Sequence, residues 1–409
     1  MSVAKLITHN FRNLTNAVIS FHSKLNFFVG DNGSGKSSLL EALFFLGHGK
    51  SFRTSKLDAL VCHEKTNFVV SIKDSNNCQL GLSRDICSGV THIKINGEHH
   101  YRLSALARNI AIQIVTPESF KLFFGGPKER RRFIDLGMFH VKHTFAKQWK
   151  SFNRVLKQRN ACIRSNNNSK ESVSMLSYWT EQFCQMSIEV AQVREEYTCA
   201  VITELDIWLA ILLPDLKSRV TVQYLQGWPQ KKNLKDVLAS NHEREASYGY
   251  SLYGAHKFDV KFLLDKQSLE TQLSRGQQKL FLLALTFAQA KLIASVNRVK
   301  PILLIDDIGA ELDVNSRTAL STALKELDCQ VVITAIECDV LRPFLDSFKF
   351  KRGNEIISID YDSIEHQSIE HENLQAQNTE YYKMFHVKHG EISEMYPDDS
   401  ELTIRKAIE

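Results

Sequence analysis

The chain has 409 residues, 43% of them apolar, with a formal net charge of +5 and eight cysteines. It can bury one or two cores, but no apolar run is long enough to cross a bilayer, which excludes a membrane-spanning protein and predicts a soluble one. The cysteines show neither C-x-x-C nor zinc spacing, and no apolar signal region precedes the first strand. We therefore expect a reduced, cytoplasmic location.

The net charge is unevenly distributed along the chain. Residues 360–409 contain 12 acidic and 4 basic residues, which leaves 34 acids and 47 bases, a charge of +13, in residues 1–359. A basic body suits a polyanion such as nucleic acid, with salt-sensitive, sequence-independent affinity. Charge alone fits a generally basic soluble surface equally well.

The first motif in chain order is a glycine-rich loop after a strand-like apolar run at residues 25–29. It fits the phosphate-loop pattern G-x-x-x-x-G-K-[ST], in which glycines let backbone N–H groups face the phosphates. A helix from Ser37 and Ser38 onward adds its N-terminal partial charge. The loop consists of Gly30, Asp31, Asn32, Gly33, Ser34, Gly35, Lys36 and Ser37. We predict ATP binding, with Lys36 catalytic at the phosphates and Ser37 on Mg²⁺; the alternative is a turn that binds nothing.

Two basic stretches come next as candidate contacts for the phosphates of a polyanion such as DNA. Arginines at successive helical positions point in different directions, so at least one should pair internally, with Asp135 a possible partner. The basic residues of the second stretch lie on one face of a predicted helix, which would either face DNA or simply be exposed to solvent. The candidates are Lys128, Arg131, Arg132, Lys147, Lys150 and Arg154.

The middle of the chain is helical in pattern from about residue 145 to 210. A stretch of loop composition at residues 165–169 interrupts it and predicts a hairpin of two helices. Residues 216–264 then return through short strand-like pieces at 219–224 and 259–263. The interval between Ser37 and Ser274 therefore has room for a compact second lobe only.

A second motif, Leu273-Ser274-Arg275-Gly276-Gln277, opens a predicted helix. An [L]-S-x-G-Q segment here resembles the signature motif of ABC-type ATPases. That resemblance implies that Ser274, Arg275, Gly276 and Gln277 contact the γ-phosphate held by a second subunit. A helix N-terminus is a ready anion site, whereas an ordinary N-capped helix accounts for Ser274 alone.

A buried strand at residues 302–305 delivers paired carboxylates at its C-terminal end. Ligands bind at that end in open α/β sheets. We predict that Asp306 holds Mg²⁺ and that Asp307 is catalytic, orienting or deprotonating the attacking water. Glu311-Leu312-Asp313 matches the loop that lies at the dimer seam in this class. The next strand, 330–334, ends at Thr334 without the histidine usual in transporter ATPases.

The acidic tail after about residue 360 is expected to be poorly ordered. The tail also contains the second copy of a repeat: the sequence Met-Phe-His-Val-Lys-His of residues 138–143 recurs unchanged at residues 384–389. The histidines suggest a metal site, but a reused surface segment is the simpler interpretation.

Several ordered motifs together resemble the bacterial RecF family of recombination-repair ATPases. They are Phe11-Arg12-Asn13-Leu14, the phosphate loop with its Leu-Leu-Glu-Ala helix, residues 47–54, residues 115–120, and residues 126–135. The resemblance also brings Arg12 and Asn13 into the ATP site. One departure is the segment 254–259, Gly-Ala-His-Lys-Phe-Asp, where the family usually has Gly-Pro-His-Arg-x-Asp.

The resemblance implies an α/β fold: an ABC-type ATPase head with a mixed sheet plus a compact, mostly helical second lobe. The expected divisions are 1–140 and 256–359 for the head, 141–255 for the helical lobe and 360–409 for a flexible acidic tail. The implied function is a slow, DNA-stimulated ATPase of recombinational repair, replication and the SOS response. It would dimerise on ATP and Mg²⁺ and bind gaps and junctions of single- and double-stranded DNA.

The partners implied by the resemblance are RecR, RecO and the RecA recombinase, with no membrane involved. Two alternatives stay open. One is a transporter motor subunit, which the missing histidine after Thr334 disfavours. The other is an ABC-superfamily ATPase subunit of a nuclease or defence complex, which would need a metal-binding nuclease module.

Overall fold

The computed structural model describes residues 2–165, 169–296, 299–309, 312–347 and 381–395. The strands are β1 Val3–Phe11, β2 Leu14–Ser20, β3 Leu25–Val29, β4 Asn67–Asp74, β5 Gln79–Asp85, β6 Thr91–Ile95, β7 Glu98–His100, β8 Ala111–Val115, β9 Val220–Leu225, β10 Asp259–Leu264, β11 Gln267–Ser268, β12 Pro301–Ile305, β13 Gln330–Ala335, β14 Tyr382–Lys388 and β15 Glu391–Met395. The helices are α1 Lys36–His48, α2 Ser104–Asn109, α3 Ser119–Phe124, α4 Pro127–Val141, α5 Phe145–Ser165, α6 Lys170–Leu212, α7 Leu234–Ser240, α8 His242–Tyr248, α9 Arg275–Ser295, α10 Val314–Lys325 and α11 Arg342–Ser347.

The chain divides into two compact units. The first consists of Met1–Pro117 and Ile293–Glu409, and the second is Glu118–Leu292. The second unit extends beyond the predicted lobe 141–255 at both ends, because contacts distant in sequence join its parts. Trp208 of α6 meets Phe287 of α9 at 5.3 Å between ring centroids, and Phe124 of α3 lies 6.1 Å from Phe281 of α9. Helical periodicity in the sequence does not predict such contacts between distant helices.

Two six-stranded sheets form the first unit. One is antiparallel, in the order β2-β1-β4-β5-β6-β7, and the other has the order β15-β14-β3-β13-β12-β8. In the second sheet β14, β3, β13, β12 and β8 run parallel while β15 is antiparallel, so the sheet is mixed. All five residues of β3 are buried, as expected for a central parallel strand.

Helix α1 lies in the core of this first unit. Leu39, Leu43 and Phe45 are at most 1% exposed and share one hydrophobic cluster with residues of both sheets. Because both sheets pack around α1, this helix is apolar on nearly every side rather than amphipathic. Its N-terminus is thereby fixed at the end of β3.

The second unit is mostly helical. Helices α5 and α6 form the predicted hairpin, and Ser169 caps α6 by accepting a hydrogen bond from the N–H of Ser172. Helix α6 is 43 residues long. Strands β9, β10 and β11 form a small antiparallel sheet close to the predicted strand-like pieces. None of the described helices is long and apolar enough to span a membrane.

The expectation of a flexible tail does not hold for residues 381–395. Strand β14 pairs in parallel with β3, and its side chains Met384, Phe385 and Val387 are at most 3% exposed. The acidic composition of the region hid this short apolar strand. The rest of the predicted tail lies outside the described residues.

The repeated hexapeptide adopts two different conformations. Its first copy, residues 138–143, includes the C-terminal turn of α4, which ends at Val141. Its second copy, residues 384–389, includes most of β14. The second copy is therefore not the surface segment expected from sequence, because its methionine, phenylalanine and valine lie in the core.

Candidate nucleotide-binding site

The phosphate-loop residues connect the end of β3 to the start of α1, as the sequence predicts. Gly33 and Gly35 have φ of +80° and +122°, values that side chains with a Cβ rarely adopt. Gly30 is required for a different reason: a Cβ there would lie 2.1 Å from the carbonyl oxygen of Val387. The helix start at Lys36 directs its unpaired N–H groups toward the loop.

The Lys36 side chain folds over the loop. Its Nζ donates to the carbonyl oxygens of Gly30 at 2.5 Å and Asp31 at 2.8 Å, and only 7% of the residue is exposed. Burial lowers the pKa of the Lys36 amine, while the carboxylates of Asp306, Asp307 and Asp31 act in the opposite direction. The amine lies at the loop where phosphates would bind.

Ser37 and Asp306 meet although they are far apart in sequence. Ser37 Oγ donates to Asp306 Oδ2 at 3.1 Å, with Oδ1 at 3.4 Å. The contact forms because β12, which ends just before Asp306, is separated from β3 in the parallel sheet only by β13. A hydroxyl and a carboxylate are the hard oxygen ligands that Mg²⁺ prefers. These residues therefore fit the predicted Mg²⁺ role.

Thr334 connects the two aspartates, and sequence reasoning missed it. Its hydroxyl donates to Asp306 Oδ1 at 2.8 Å and accepts from the backbone N–H of Asp307 at 2.9 Å. Asp307 has a φ of +48°, in the left-handed region. The signal available in the sequence was that Thr334 ends the next buried strand after Asp306. The structure shows that these two strands are adjacent and parallel, so that their C-terminal ends meet at one edge.

Arg12 and Asn13 lie beside the loop region in different ways. The Arg12 guanidinium donates to both carboxylate oxygens of Glu41 at 2.8 and 2.7 Å, and to the carbonyl of Ala59 at 2.7 Å. Glu41, fully buried in α1, also accepts a short hydrogen bond from Ser51. These hydrogen bonds anchor Arg12 to α1, and Glu41 is a partner that sequence reasoning did not identify. The contact of Arg12 with ATP stays a prediction.

Asn13 contacts the backbone of the loop. Its Nδ2 lies 3.4 Å from the carbonyl of Gly33 and 3.3 Å from that of Ser34. Ser38, predicted to be part of the site, is buried in the first turn of α1 with 6% exposure. Asp31, Asn32 and Gly33 are exposed at the tip of the loop.

The signature segment begins α9, in the second unit. Ser274 Oγ accepts from the N–H of Gln277 at 3.3 Å, and Gln277 Oε1 accepts from the N–H of Ser274 at 3.1 Å. This reciprocal pair is a capping box, which satisfies one N–H of the helix start and one before it. Ser274 and Arg275 are exposed, and Gly276 is half-buried. The helix start is therefore available to a second molecule.

Asp313 caps the next helix in the first unit. Its carboxylate accepts the N–H of Ser316 at 2.7 Å, and this hydrogen bond lowers the pKa of Asp313. Leu312 and Asp313 belong to the described part of the predicted dimer-seam loop. Glu311 lies outside the described residues.

Two of the first group of DNA candidates, Arg131 and Arg132, have partners within the second unit. Arg131 donates to the carbonyl of Phe258 at 3.1 Å, and Arg132 lies 3.4 Å from Glu129. The neighbouring Arg130 forms a two-pronged pair with Asp259 at 2.9 Å. Internal pairing of this cluster was expected, but the carboxylate involved is not Asp135.

Asp135 instead pairs with Arg194, which is fully buried. The Arg194 guanidinium donates to both Asp135 oxygens and, at 2.6 Å, to the carbonyl of Ala255, and it stacks 3.9 Å from the ring centroid of Phe258. The segment 254–259 is therefore an internal part of the second unit, and its departure from the family pattern is accommodated there. Lys257 is exposed, 5.3 Å from the ring of Tyr250.

The remaining candidates, Lys147, Lys150 and Arg154, all lie exposed on α5. Their spacing places them on one face of that helix. Lys128 is also exposed, in the first turn of α4. These four, unlike Arg131, present charge to solvent.

Phosphate loop, paired strand-end aspartates and capped signature helix together define an ATPase head of the ABC and SMC type. The RecF/RecN/SMC N-terminal domain family matches residues 2–351. The chain is 67% identical to the DNA replication and repair protein RecF of Colwellia psychrerythraea over 96% of this chain and 97% of that one. It is 37% identical to RecF of Pseudoalteromonas translucida, over 87% and 100% of the two chains. The chain therefore belongs to the RecF family.

Solved structures agree on the fold. A structure of the recombination mediator protein RecF with ATP, from the RecFOR pathway, matches with a TM-score of 0.75 at 22% identity, over 97% of this chain and 98% of that one. An SMC head domain of Pyrococcus furiosus with an extended coiled coil matches with a TM-score of 0.53 at 15% identity, over 100% of both chains. The predicted α/β ATPase-head fold is confirmed.

Proposed function

We propose that this chain is an ATP-dependent DNA-binding protein of recombinational repair and replication maintenance. The observation that carries the proposal is the 3.1 Å contact of Ser37 with Asp306 beside the phosphate loop, since it unites two motifs of one hydrolytic site. Membership of the RecF family favours this function over a transporter motor or a nuclease-complex subunit.

Each residue of the site has a distinct task. Lys36 and the N–H groups of the loop bind the β- and γ-phosphates. Ser37 and Asp306 would hold Mg²⁺, which would neutralise phosphate charge when bound. Asp307 orients the attacking water or accepts its proton. Thr334 fixes the backbone of Asp307 by accepting its N–H. The product would be ADP and phosphate, formed slowly and faster on DNA.

The signature helix supplies the second half of the site from another copy of the chain. Ser274 and the N–H groups at the start of α9 form an exposed anion site. A γ-phosphate bound to Lys36 of one chain would meet Ser274 of the other, so that ATP binding closes a homodimer and hydrolysis opens it. Asp313 would lie at the seam.

The DNA substrate is inferred from charge and family. The exposed basic face of α5 suits a phosphate backbone rather than base edges, so gaps and duplex–single-strand junctions would be recognised by shape and charge. By family, the protein would act with RecR and RecO to load RecA.

The test is ATP-dependent binding of the purified protein to gapped duplex DNA, with strand cleavage scored in parallel. We expect binding with ATP, none with Lys36→Ala, and no cleavage. Loss of the α5 charges in Lys147→Gln/Lys150→Gln/Arg154→Gln should reduce the salt dependence of binding by roughly two to three in log–log slope. Lys231→Gln/Lys232→Gln, two exposed lysines of the same unit, is the matched control. Normal nucleotide affinity in Lys36→Ala would refute the site.

A further inference from the structure

The turn between β14 and β15 lies directly against the phosphate loop. The backbone N–H of Gly390 donates to the carbonyl oxygen of Ser34 at 2.7 Å. Asn13 lies in the same contact: its Nδ2 reaches Ser34 O at 3.3 Å, and a Cβ on Gly390 would fall 2.0 Å from the Asn13 carbonyl oxygen. Gly390 is buried, although it belongs to a hairpin turn.

The hydrogen bond on Ser34 fixes one peptide plane of the loop. The peptide group between Ser34 and Gly35 is planar and trans, so the carbonyl of Ser34 and the N–H of Gly35 point in opposite directions. Holding the carbonyl toward Gly390 therefore aims the Gly35 N–H away from the hairpin. A hydrogen bond accepted by the carbonyl also polarises that N–H as a donor.

Strand β14, which leads into the turn, is packed closely against β3 and the phosphate loop. Phe385 of β14 stacks on Phe28 of β3 with ring centroids 4.6 Å apart, and His386 pairs with Val29 at the last residue before the loop. The carbonyl of Val387 closely approaches Gly30, where a Cβ would lie 2.1 Å away. The hairpin thus contacts the loop at its first residue, Gly30, and at Ser34 in its middle.

We propose that the β14–β15 turn is part of the nucleotide site and that Gly390 is a positioning residue, which holds the Ser34–Gly35 peptide for phosphate binding. The proposal rests on the nucleotide-binding function proposed above. Gly390 touches no phosphate itself; it acts through the loop backbone. Nucleotide affinity and the order of the hairpin are then thermodynamically coupled, each stabilising the other.

The chain contains a closely matched control for this turn. His389 and Gly390 have φ of +51° and +85°, while Asn96 and Gly97, in the turn between β6 and β7, have φ of +50° and +86°. Both are two-residue turns with positive φ at both central positions. A Cβ on Gly97 meets nothing within 4 Å. Gly97→Ala therefore introduces the same backbone strain without disturbing the phosphate loop.

The experiment measures the ATP dissociation constant and the unfolding temperature of wild type, Gly390→Ala and Gly97→Ala as full-length chains. We expect Gly390→Ala to weaken ATP binding about tenfold or more, the size expected for one hydrogen bond to a charged group. Gly97→Ala should keep wild-type affinity. Wild-type ATP affinity in both variants, or the same loss of affinity in both, overturns the proposal. A wild-type protein that binds no ATP refutes the proposed function instead.

A second measurement needs no mutation and covers the case in which Gly390→Ala does not fold. Amide hydrogen exchange of the wild-type protein is compared with and without a non-hydrolysable ATP analogue. Coupling predicts slower exchange in residues 382–395 and little change in the hairpin of residues 91–100. Unchanged exchange in residues 382–395, with the analogue shown to be bound, overturns the proposal.

Discussion

The hydroxyl of Thr334 donates a hydrogen bond to Asp306 at 2.8 Å, and the same oxygen accepts the N–H of Asp307 at 2.9 Å. One side chain on β13 thereby orients two consecutive residues after β12. Thr334, at the end of its strand, therefore links the residue proposed to bind the metal with the residue proposed to orient the water.

Replacing this hydroxyl should impair hydrolysis more than binding. In Thr334→Val the shape is kept, but Asp306 and the strained backbone at Asp307 lose their shared partner, so we expect kcat to fall about tenfold or more with a small change in ATP affinity. Thr8→Val is the control, because the buried hydroxyl of Thr8 has no hydrogen-bond partner among the described residues. Single-turnover hydrolysis is the measurement; an unchanged rate would remove Thr334 from the site.

The role of Asp307 can be separated from its shape. Asparagine tolerates the φ of +48° found there and has nearly the same volume, so Asp307→Asn changes chiefly the charge. We expect ATP binding to persist while hydrolysis slows by at least about a hundredfold, as for loss of a general base. Nucleotide affinity and phosphate release are measured on the same preparation. Full activity would assign the catalytic role elsewhere.

Blocking the signature helix should prevent closure without touching the phosphate loop. A bulky cation in Ser274→Arg removes the capping box and obstructs the exposed helix start, so ATP-dependent dimers should disappear while the monomer still binds ATP. Ser240→Arg, an exposed serine at the end of α7 in the same unit, serves for comparison. Sedimentation with ATP reports the result; an intact dimer of the Ser274 variant would contradict the two-copy site.

His256 should make the protein acid-sensitive. Burial lowers the pKa of His256 to about 4, against a favourable hydrogen bond to the carbonyl of Ser251. Since the unfolded chain takes up this proton near pH 6.5, the stabilising effect of a neutral His256 is complete above that pH and is lost as pH falls toward 4. We expect about 2 kcal/mol less stability at pH 5 than at pH 7 from this residue.

Thermal or urea unfolding at both pH values tests this expectation. His256→Gln, which cannot titrate, should show a smaller loss between pH 7 and pH 5 than wild type. His63→Gln is the control, because His63 is almost fully exposed. An identical pH dependence in wild type and the His256 variant would show that the buried imidazole does not contribute.

The parts of the site that lie within short segments could be predicted from sequence. The spacing of Gly30 to Ser37, the strand before Asp306 and the capping serine at position 274 are local patterns with local physical causes. The α/β head and the helix hairpin follow from periodicity in the same way.

The contacts that could not be predicted join residues distant in sequence. Thr334 and Glu41 act through partners on other elements, and the hydrogen bond from Arg131 to the carbonyl of Phe258 joins residues far apart in the chain. The second unit is larger than its helical pattern suggested. In each case the contact depends on which strand or helix lies next to the residue in the fold, and local sequence composition does not specify those neighbours.

The repeated hexapeptide shows how strongly neighbours decide conformation, and it bears on the order of assembly. The first copy lies at the end of a helix that begins at Pro127, whereas the second forms a strand paired with β3. During synthesis the phosphate loop leaves the ribosome long before residues 384–389 exist. The loop is therefore made early in translation but acquires its contacts with Val387 and Gly390 only later, so a nascent chain carries an incompletely supported nucleotide site until residues 384–390 have been made.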